Sequence, residues 1–441
     1  MINFKITDNS YALLGNSIKH SISPMIHEFI MRKNNCCSEY EIIDAEKNNL
    51  KNVIELLKSK NINFNVTVPY KETVLEYLDE IDKTCTDIGS VNTVKNVNGK
   101  LIGYSTDNYG FAKACELQNV KLENKTVSII GSGGTARILA YECVRQGANT
   151  FIIARNKAAA DDICKNGKIT AGNDKDLTSS DIIINTTPVG MWPKNENHFI
   201  DIDKMKNVQF IFDAIYNPIC TKLIINAKNA GVKAVGGLDM LISQAELSQK
   251  IWNSFTLTDS QHKQLKAECK KHINKSFSKK IILTGFMGCG KSSSGKILAE
   301  LLGYDFIDLD DFIVENEKMT VNDIFEKHGE QNFRQLENTY LSKALQNKNC
   351  VIALGGGCIL NENNYNLLKE NTTFLFYLDS AIDSIKKRLA GDSSRPMLKL
   401  NDIDDLYYER KSKYEKLCDF KINADKSPKE IADEIYNLLE K

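Results

Sequence analysis

Two short stretches place phosphate-binding chemistry in their spacing. Gly285-Phe-Met-Gly-Cys-Gly290-Lys291-Ser292 is a complete G-x-x-x-x-G-K-S run, set after an apolar strand and before a helical pattern. The backbone N–H groups of such a loop ring phosphate oxygens, its lysine reaches the outer phosphates, and the following hydroxyl can hold Mg²⁺. Gly288, Cys289, Gly290, Lys291, Ser292 and Ser293 are therefore candidate contacts to a nucleotide's phosphates, though the motif alone does not separate a GTPase, an ATPase and a small-molecule kinase. Gly131, Gly133 and Ala136 in "IIGSGGTAR" give G-x-G-x-x-A in the same strand-to-helix setting. There the backbone approaches a pyrophosphate at a helix N-terminus, which nominates Gly131, Ser132, Gly133, Gly134 and Thr135 as dinucleotide contacts.

The surrounding residues sharpen both readings. An NAD site carries Asp or Glu at the end of the next strand, roughly 20 residues after the loop. This chain has Ala154-Arg155-Asn156-Lys157 there. A guanidinium suits a 2′-phosphate, so Arg155 favours NADP over NAD. Lys71 in "NFNVTVPYKETVLEYL" is expected in the first turn of a helix entered at Pro69. The positive end of the macrodipole disfavours a cation there, which suits a general acid. In "FIDLDDFIVE", Asp308 and Asp310 are one residue apart and are expected on the same side of a strand end, one for Mg²⁺ and one for a substrate hydroxyl, with a capped strand–helix junction as the plain alternative. Arg334 and Glu337 share one helix face, with a surface salt bridge as the plain alternative. Gly355, Gly356 and Gly357 let a ligand lie against bare backbone. Arg395 stands in a polar segment and Arg410 on a helix. No N-K-x-D follows the second loop, which argues against a GTPase.

These residues need scaffolds, and the chain is long enough for several. Its 441 residues suggest about three domains. With 57 basic and 57 acidic residues, no nucleic-acid or anionic-membrane partner is expected. No apolar run reaches about 18 residues, so no spanning helix is expected. "MINFKITDNSYALLG" reads as a polar lead into a strand, not a signal peptide, which implies a cytoplasmic protein. Twelve cysteines are scattered without a C-x-x-C pair, so reduced thiols and no structural zinc are expected. "YALLG", "FNVTV" and "SVNTV" read as strands between helical stretches. A fresh β-α-β pattern starts at "KTVSIIGSGG" and runs through "DIIINTT" and "VQFIFDAIY" as a parallel sheet covered on both faces. "CKKHINKSFSKK" reads as a linker, and a third α/β pattern follows from "IILTGF".

Six segments occur in order around the first loop: "GNSIKHSISPMIH", "NVTVPYK", "GSVNTV", "GYSTDNYGF", "DAIYNP" and "GGLDMLISQA". Together they resemble shikimate dehydrogenase over residues 1 to about 270. The resemblance implies that Ser21 and Ser23 hold a carboxylate, and that Thr67, Asn92, Tyr216 and Gln244 meet ring hydroxyls. Lys71 and Asp107 match the catalytic pair, Asn156 falls with Arg155 at the 2′-phosphate site, and Gly237 approaches the nicotinamide. The segments around the second loop resemble shikimate kinase across 279–441. That match implies ATP on Lys291 and Ser292, Mg²⁺ on Ser292 with Asp308, and Asp310 at the attacking hydroxyl. Arg334 and Arg410 then hold the substrate carboxylate, Gly356 contacts the ring, and Arg395 on a lid stabilises the transferred phosphoryl group. Departures from the family patterns are Asn63, Ala154-Arg155-Asn156, Ala159, Ser293 and Cys358.

The expected architecture is α/β throughout. An α/β substrate domain covers 1–107, completed by 237–270, and a Rossmann-type NADP domain covers 108–236. A linker at 271–279 leads to a P-loop kinase domain with a parallel sheet at 280–441. The expected activity is NADPH-dependent reduction of 3-dehydroshikimate, then ATP- and Mg²⁺-dependent phosphorylation of shikimate. The alternatives are a first half that uses quinate or NAD, and a regulatory module with one inactive half.

Overall fold

The computed structural model describes residues 10–165, 167–192, 200–276, 279–371, 374–390 and 402–440. The chain divides into two compact units, Met1–Ile273 and Asn274–Lys441.

The first unit contains two sheets. One joins β1 (Tyr11–Gly15), β2 (Tyr40–Asp44), β3 (Asn63–Val66), β4 (Glu80–Ile81), β5 (Thr93–Val97) and β6 (Lys100–Tyr104) in the order β2-β1-β3-β5-β6-β4. It is mixed, because β5 runs antiparallel to both β3 and β6. Asn98 and Gly99, at φ 54° and 83°, form the two-residue turn of the β5–β6 hairpin, as Asn-Gly does where both central residues need positive φ. The other sheet is wholly parallel. It orders β7 (Thr126–Ile130), β8 (Asn149–Ile153), β9 (Thr170–Ala171), β10 (Ile182–Asn185), β11 (Phe210–Asp213) and β12 (Lys233–Gly236) as β12-β11-β10-β7-β8-β9. Val127, Ile129, Ile152, Ile182, Ile184, Phe210 and Phe212 are buried in its core; strands covered on both faces read as continuous apolar runs. Strand order reverses between β7 and β10, and such a switch point opens a ligand crevice at the strands' carboxyl ends.

Two helices lie against each other across this unit, Asp107–Leu117 and Leu238–Asn253. A Cβ at Gly110 would lie 2.5 Å from the Met240 carbonyl oxygen, so only glycine permits this approach. The contact brings Asp107 and Gln244 into one place.

The second unit has a five-stranded parallel sheet. Its strands are β13 (Lys280–Thr284), β14 (Asp305–Asp308), β15 (Cys350–Ala353), β16 (Phe374–Asp379) and β17 (Phe420–Asn423), ordered β14-β15-β13-β16-β17. The stretch read as a linker holds the boundary between the two units, and its first part is helical. A helix runs from Asp259 to Ser276, burying Leu265, Cys269 and Ile273 at four-residue spacing, a helical period hidden among lysines. Among the described residues, no helix is long and apolar enough to cross a membrane.

Candidate active sites

In the first unit, the residues nearest Lys71 form one polar group. Lys71 Nζ donates to Asp107 Oδ2 at 2.6 Å, with side chains 14% and 10% exposed. Asn92 Nδ2 donates to Asp107 Oδ1 at 3.0 Å, to Thr106 Oγ1 at 2.9 Å and to Gln244 Oε1 at 3.3 Å. Asn92 Oδ1 in turn accepts from the Thr106 backbone N–H at 2.7 Å. Beneath this lies a second buried layer, in which Asn65 Nδ2 reaches the Asn92 carbonyl, Thr93 and Ser248. The carboxylate is thus held on one oxygen by an amide and on the other by the lysine. Buried polar groups persist only when their partners are supplied in this way.

Lys71 does not stand in a helical first turn. A short 3₁₀ helix begins only at Thr73, after a cis Val68–Pro69 bond. The partner that shapes Lys71 is Asp107, not a helix dipole. Ser21 Oγ donates to Ser23 Oγ at 3.0 Å, where the helix Ser23–Lys33 begins. Thr67 follows β3 and its N–H donates to the Leu14 carbonyl at 2.9 Å. Tyr216 stands in the turn after β11, where burial pushes its phenol up to about 12. Among the described residues, the hydrogen bonds of the Lys71 group do not extend to Ser21, Thr67 or Tyr216.

The glycine loop after β7 is built for close backbone approach. Gly131 has φ 117°, and a Cβ there would lie 2.4 Å from Thr186 Oγ1. Nothing lies within 4 Å of a Cβ placed on Gly133 or Gly134, so the start of the helix Gly134–Arg145, with Ser132 and Thr135, is open to a bound pyrophosphate. Arg137 on this helix pairs with Asp162 and lies 3.7 Å from Glu72, the neighbour of Lys71. The loop helix and the Lys71 segment therefore face each other. Arg155 is exposed past β8, and Asn156 caps the helix Lys157–Cys164 by accepting from the Ala159 N–H at 3.2 Å. Gly237 caps the helix Leu238–Asn253, and a Cβ there would lie 2.3 Å from the Ala214 carbonyl oxygen. Gly131→Ala is expected to destabilise the protein by about 1–3 kcal/mol and to weaken dinucleotide binding; thermal melting with and without dinucleotide measures both.

In the second unit, one cavity of about 840 Å³ gathers the candidate residues: the phosphate loop, Asp308, Asp310, Arg334, Gly356 and Arg410 all line it. Gly285, Gly288 and Gly290 take φ of 143°, 77° and 96°, conformations that only glycine adopts without strain. Lys291 and Ser292 open the helix Lys291–Leu302, followed by Ser293. Lys291 Nζ donates to the Gly285 and Phe286 carbonyls at 2.9 and 3.0 Å, within the loop it serves, and lies 3.9 Å from Cys289 Sγ. Ser292 Oγ donates to Asp308 Oδ2, placing two hard oxygen donors side by side as Mg²⁺ requires.

Asp308 and Asp310 do not share a strand end. Asp308 closes β14 and caps the helix Leu309–Glu317, accepting from the Asp310 N–H at 3.1 Å, whereas Asp310 belongs to that helix's first turn. The expectation of alternate strand residues fails because Asp308, the last residue of the strand, is itself a strong N-cap that starts the helix at once. Arg334 and Glu337 are no surface pair. Gly329, at φ 78°, breaks the helix Val321–Ala344, and the part beyond it carries both residues into the cavity. Glu337 is 1% exposed and accepts from Arg334 Nη1 at 2.6 Å through Oε2. The glycines after β15 form the floor. A Cβ on Gly355 would lie 2.6 Å from Asp310 Oδ1 and 2.9 Å from Glu337 Oε1, and one on Gly357 would lie 2.7 Å from Arg334 Nη1. Tyr414 donates to the Gly356 carbonyl, and Arg410 is buried nearby. Arg388 and Lys426 also line the cavity and carry no sequence signal, since each is a basic residue in an ordinary charged helix or turn. Arg395 lies outside the described residues.

Comparisons with known proteins agree with this division. A model of the shikimate dehydrogenase substrate binding domain matches residues 13–94, and one of shikimate kinase matches 287–440. The shikimate dehydrogenase (NADP(+)) of Methanococcus vannielii is 39% identical over 257 residues, covering 55% of this chain and 90% of that relative. That of Clostridium beijerinckii is 34% identical over 252 residues, covering 56% of this chain and 93% of that relative. Among solved structures, a chorismate mutase/shikimate 5-dehydrogenase fusion protein from Clostridium acetobutylicum is 32% identical with a TM-score of 0.57, covering 61% of this chain and 99% of its own. A shikimate dehydrogenase in complex with NADP+ is 34% identical with a TM-score of 0.56, covering 60% of this chain and 97% of its own. The chain belongs to the shikimate dehydrogenase family over its first unit and to the shikimate kinase family over its second.

Proposed function

We propose that Lys71, Asp107 and the residues around them carry the first of two consecutive reactions in this bifunctional shikimate-pathway enzyme, and that Asp310, Lys291 and the two cavity arginines carry the second. The first is NADPH-dependent reduction of 3-dehydroshikimate to shikimate, and the second is phosphorylation of shikimate by ATP to shikimate 3-phosphate. The observation that carries the reading is the Lys71–Asp107 pair at 2.6 Å, fixed from beneath by Asn92 and facing the helix of the dinucleotide loop.

Reduced nicotinamide, when bound, supplies the hydride. Lys71 Nζ then holds the proton that the ring carbonyl oxygen takes as it becomes a hydroxyl. Asp107 keeps the ammonium aimed, and Asn92 keeps Asp107 from turning away. Ser21 and Ser23 present hydroxyls to the substrate carboxylate, and Thr67, Tyr216 and Gln244 meet its hydroxyls. Gly237 leaves room for the nicotinamide.

In the second unit, Ser292 and Asp308 would hold Mg²⁺, which neutralises charge on the phosphates. Lys291 exchanges its two loop carbonyls for phosphate oxygens. Asp310 accepts the proton of the attacking hydroxyl. Arg334 and Arg410 take the substrate carboxylate, with a planar geometry that lysine does not reproduce, and Gly356 lets the ring lie on the backbone. Arg395 is assigned to the transferred phosphoryl group.

Arg155, exposed beside Asn156 and Lys157, supports NADP as the cofactor. The test is shikimate oxidation with NADP⁺ against NAD⁺, in the native chain and in Arg155→Ala. One charge-assisted contact of about 1.5–3 kcal/mol corresponds to about 10- to 100-fold. The variant should lose that much kcat/KM for NADP⁺ and little for NAD⁺. Equal losses with both cofactors would place the phosphate elsewhere.

A further inference from the structure

Glu337 is a buried carboxylate of the kinase cavity that the reaction above does not use. Its Oε2 is satisfied by Arg334, whereas Oε1 is buried and has no hydrogen-bond partner among the described residues. Oε1 and Asp310 Oδ1 lie within 2.9 and 2.6 Å of the same point, the place where Gly355 lacks a Cβ. Two carboxyls therefore converge on one small space. A buried acceptor left open beside another carboxylate is costly when both are charged. A proton on Oε1 removes that cost by neutralising Glu337 beside Asp310.

The charges around Glu337 are Arg334 and Glu330 on its own helix, Asp310 from the helix Leu309–Glu317, and Arg410 from the helix Ile403–Leu417. The Cys358 thiol, itself pushed up by burial, and the Tyr414 phenol complete the surroundings. Arg334 serves two masters: it anchors Glu337 and, on the reading above, receives the substrate carboxylate. An arriving anion adds negative charge beside Glu337 and draws Arg334 away from it. Both effects favour the protonated acid.

We propose that shikimate binding to this cavity is coupled to uptake of one proton from solvent at Glu337 Oε1, while Asp310 remains the acceptor of the hydroxyl proton. No other bond forms or breaks in this step. Glu337 is a positioning residue, not a catalytic one. Burial already pushes its carboxyl up to about 7, against the pull of Arg334.

The inference rests on shikimate being the ligand of this cavity, and the test separates the two. ADP release from ATP, Mg²⁺ and varied shikimate, without any nicotinamide cofactor, reports the kinase site of the full chain alone. Native kcat/KM for shikimate is expected to fall about tenfold per unit above pH 7, as one required proton is lost. Glu337→Gln, which carries N–H where the proton would sit, should lose this limb. Glu330→Gln, which removes the other carboxylate from Arg334, should keep it. A native profile that is flat or rises from pH 7 to 9, or the same falling limb in Glu337→Gln, overturns the proposal. If Glu337→Gln does not fold, a flat native profile still overturns it, and a falling one kept in Glu330→Gln supports it. Absence of ADP release at any pH removes the shikimate reading, and the proposal with it.

Discussion

Lys71→Ala is expected to lower kcat for 3-dehydroshikimate reduction by about 10²–10⁴-fold, the range for loss of a positioned general acid. ADP release from supplied shikimate should be unchanged, because the kinase cavity lies in the other unit. The size follows from how completely the site is committed to this lysine. Lys71 and Asp107 are almost wholly buried, so water is a poor replacement donor. The Asn92 bonds to Asp107 and Thr106 do not depend on the lysine. The carboxylate should therefore stay in place, and the deficit should appear in kcat more than in KM. NADPH absorbance against substrate concentration measures both. A variant within tenfold of the native rate would move the proton donor elsewhere.

Lys291→Ala is expected to cost the kinase step about 10²–10³-fold in kcat/KM, as for removal of one preorganised electrostatic donor. NADPH-linked rates should stay at the native value. Here the interpretation needs a control. Lys291 also ties down the Gly285 and Phe286 carbonyls of its own loop, so part of the loss reflects a looser loop. Melting curves with and without ATP and Mg²⁺ separate the contributions. A looser loop lowers the melting temperature of the free protein, whereas the lost phosphate contact shrinks only the shift that nucleotide produces.

What was legible in the sequence, and what was not, divides along physical lines. The two phosphate loops carry their geometry in glycine spacing, and Gly131, Gly285, Gly288 and Gly290 all take positive φ. The apolar runs of β7, β10, β11 and β13 are legible because each strand is buried on both faces. The helix through Ser276 was hidden because its buried stripe has only Leu265, Cys269 and Ile273 among many polar residues. Lys71 was placed in a helix because Pro-x-Lys-Glu resembles a helix start, whereas the chain there turns through a cis proline into a 3₁₀ segment. The Lys71–Asp107 pairing spans 36 residues, and Asn92–Gln244 spans 152. Local pattern cannot supply such distances; here they depend on two helices packed as closely as Gly110 allows. Glu337 is legible as a neighbour of Arg334 but not as a cavity residue, for a similar reason. Its i,i+3 spacing from Arg334 looks like any surface pair until Gly329 turns that helix face inward.

The central claim is that one polypeptide carries out both steps, and one mixture tests it directly. The purified chain is given 3-dehydroshikimate, NADPH, ATP and Mg²⁺, while NADPH absorbance and ADP release are followed together. The account predicts that NADPH falls first, that ADP follows, and that one shikimate 3-phosphate accumulates per NADPH consumed. NADPH consumption without ADP release, persisting when shikimate itself is supplied, would contradict it and leave the second phosphate loop without its acceptor.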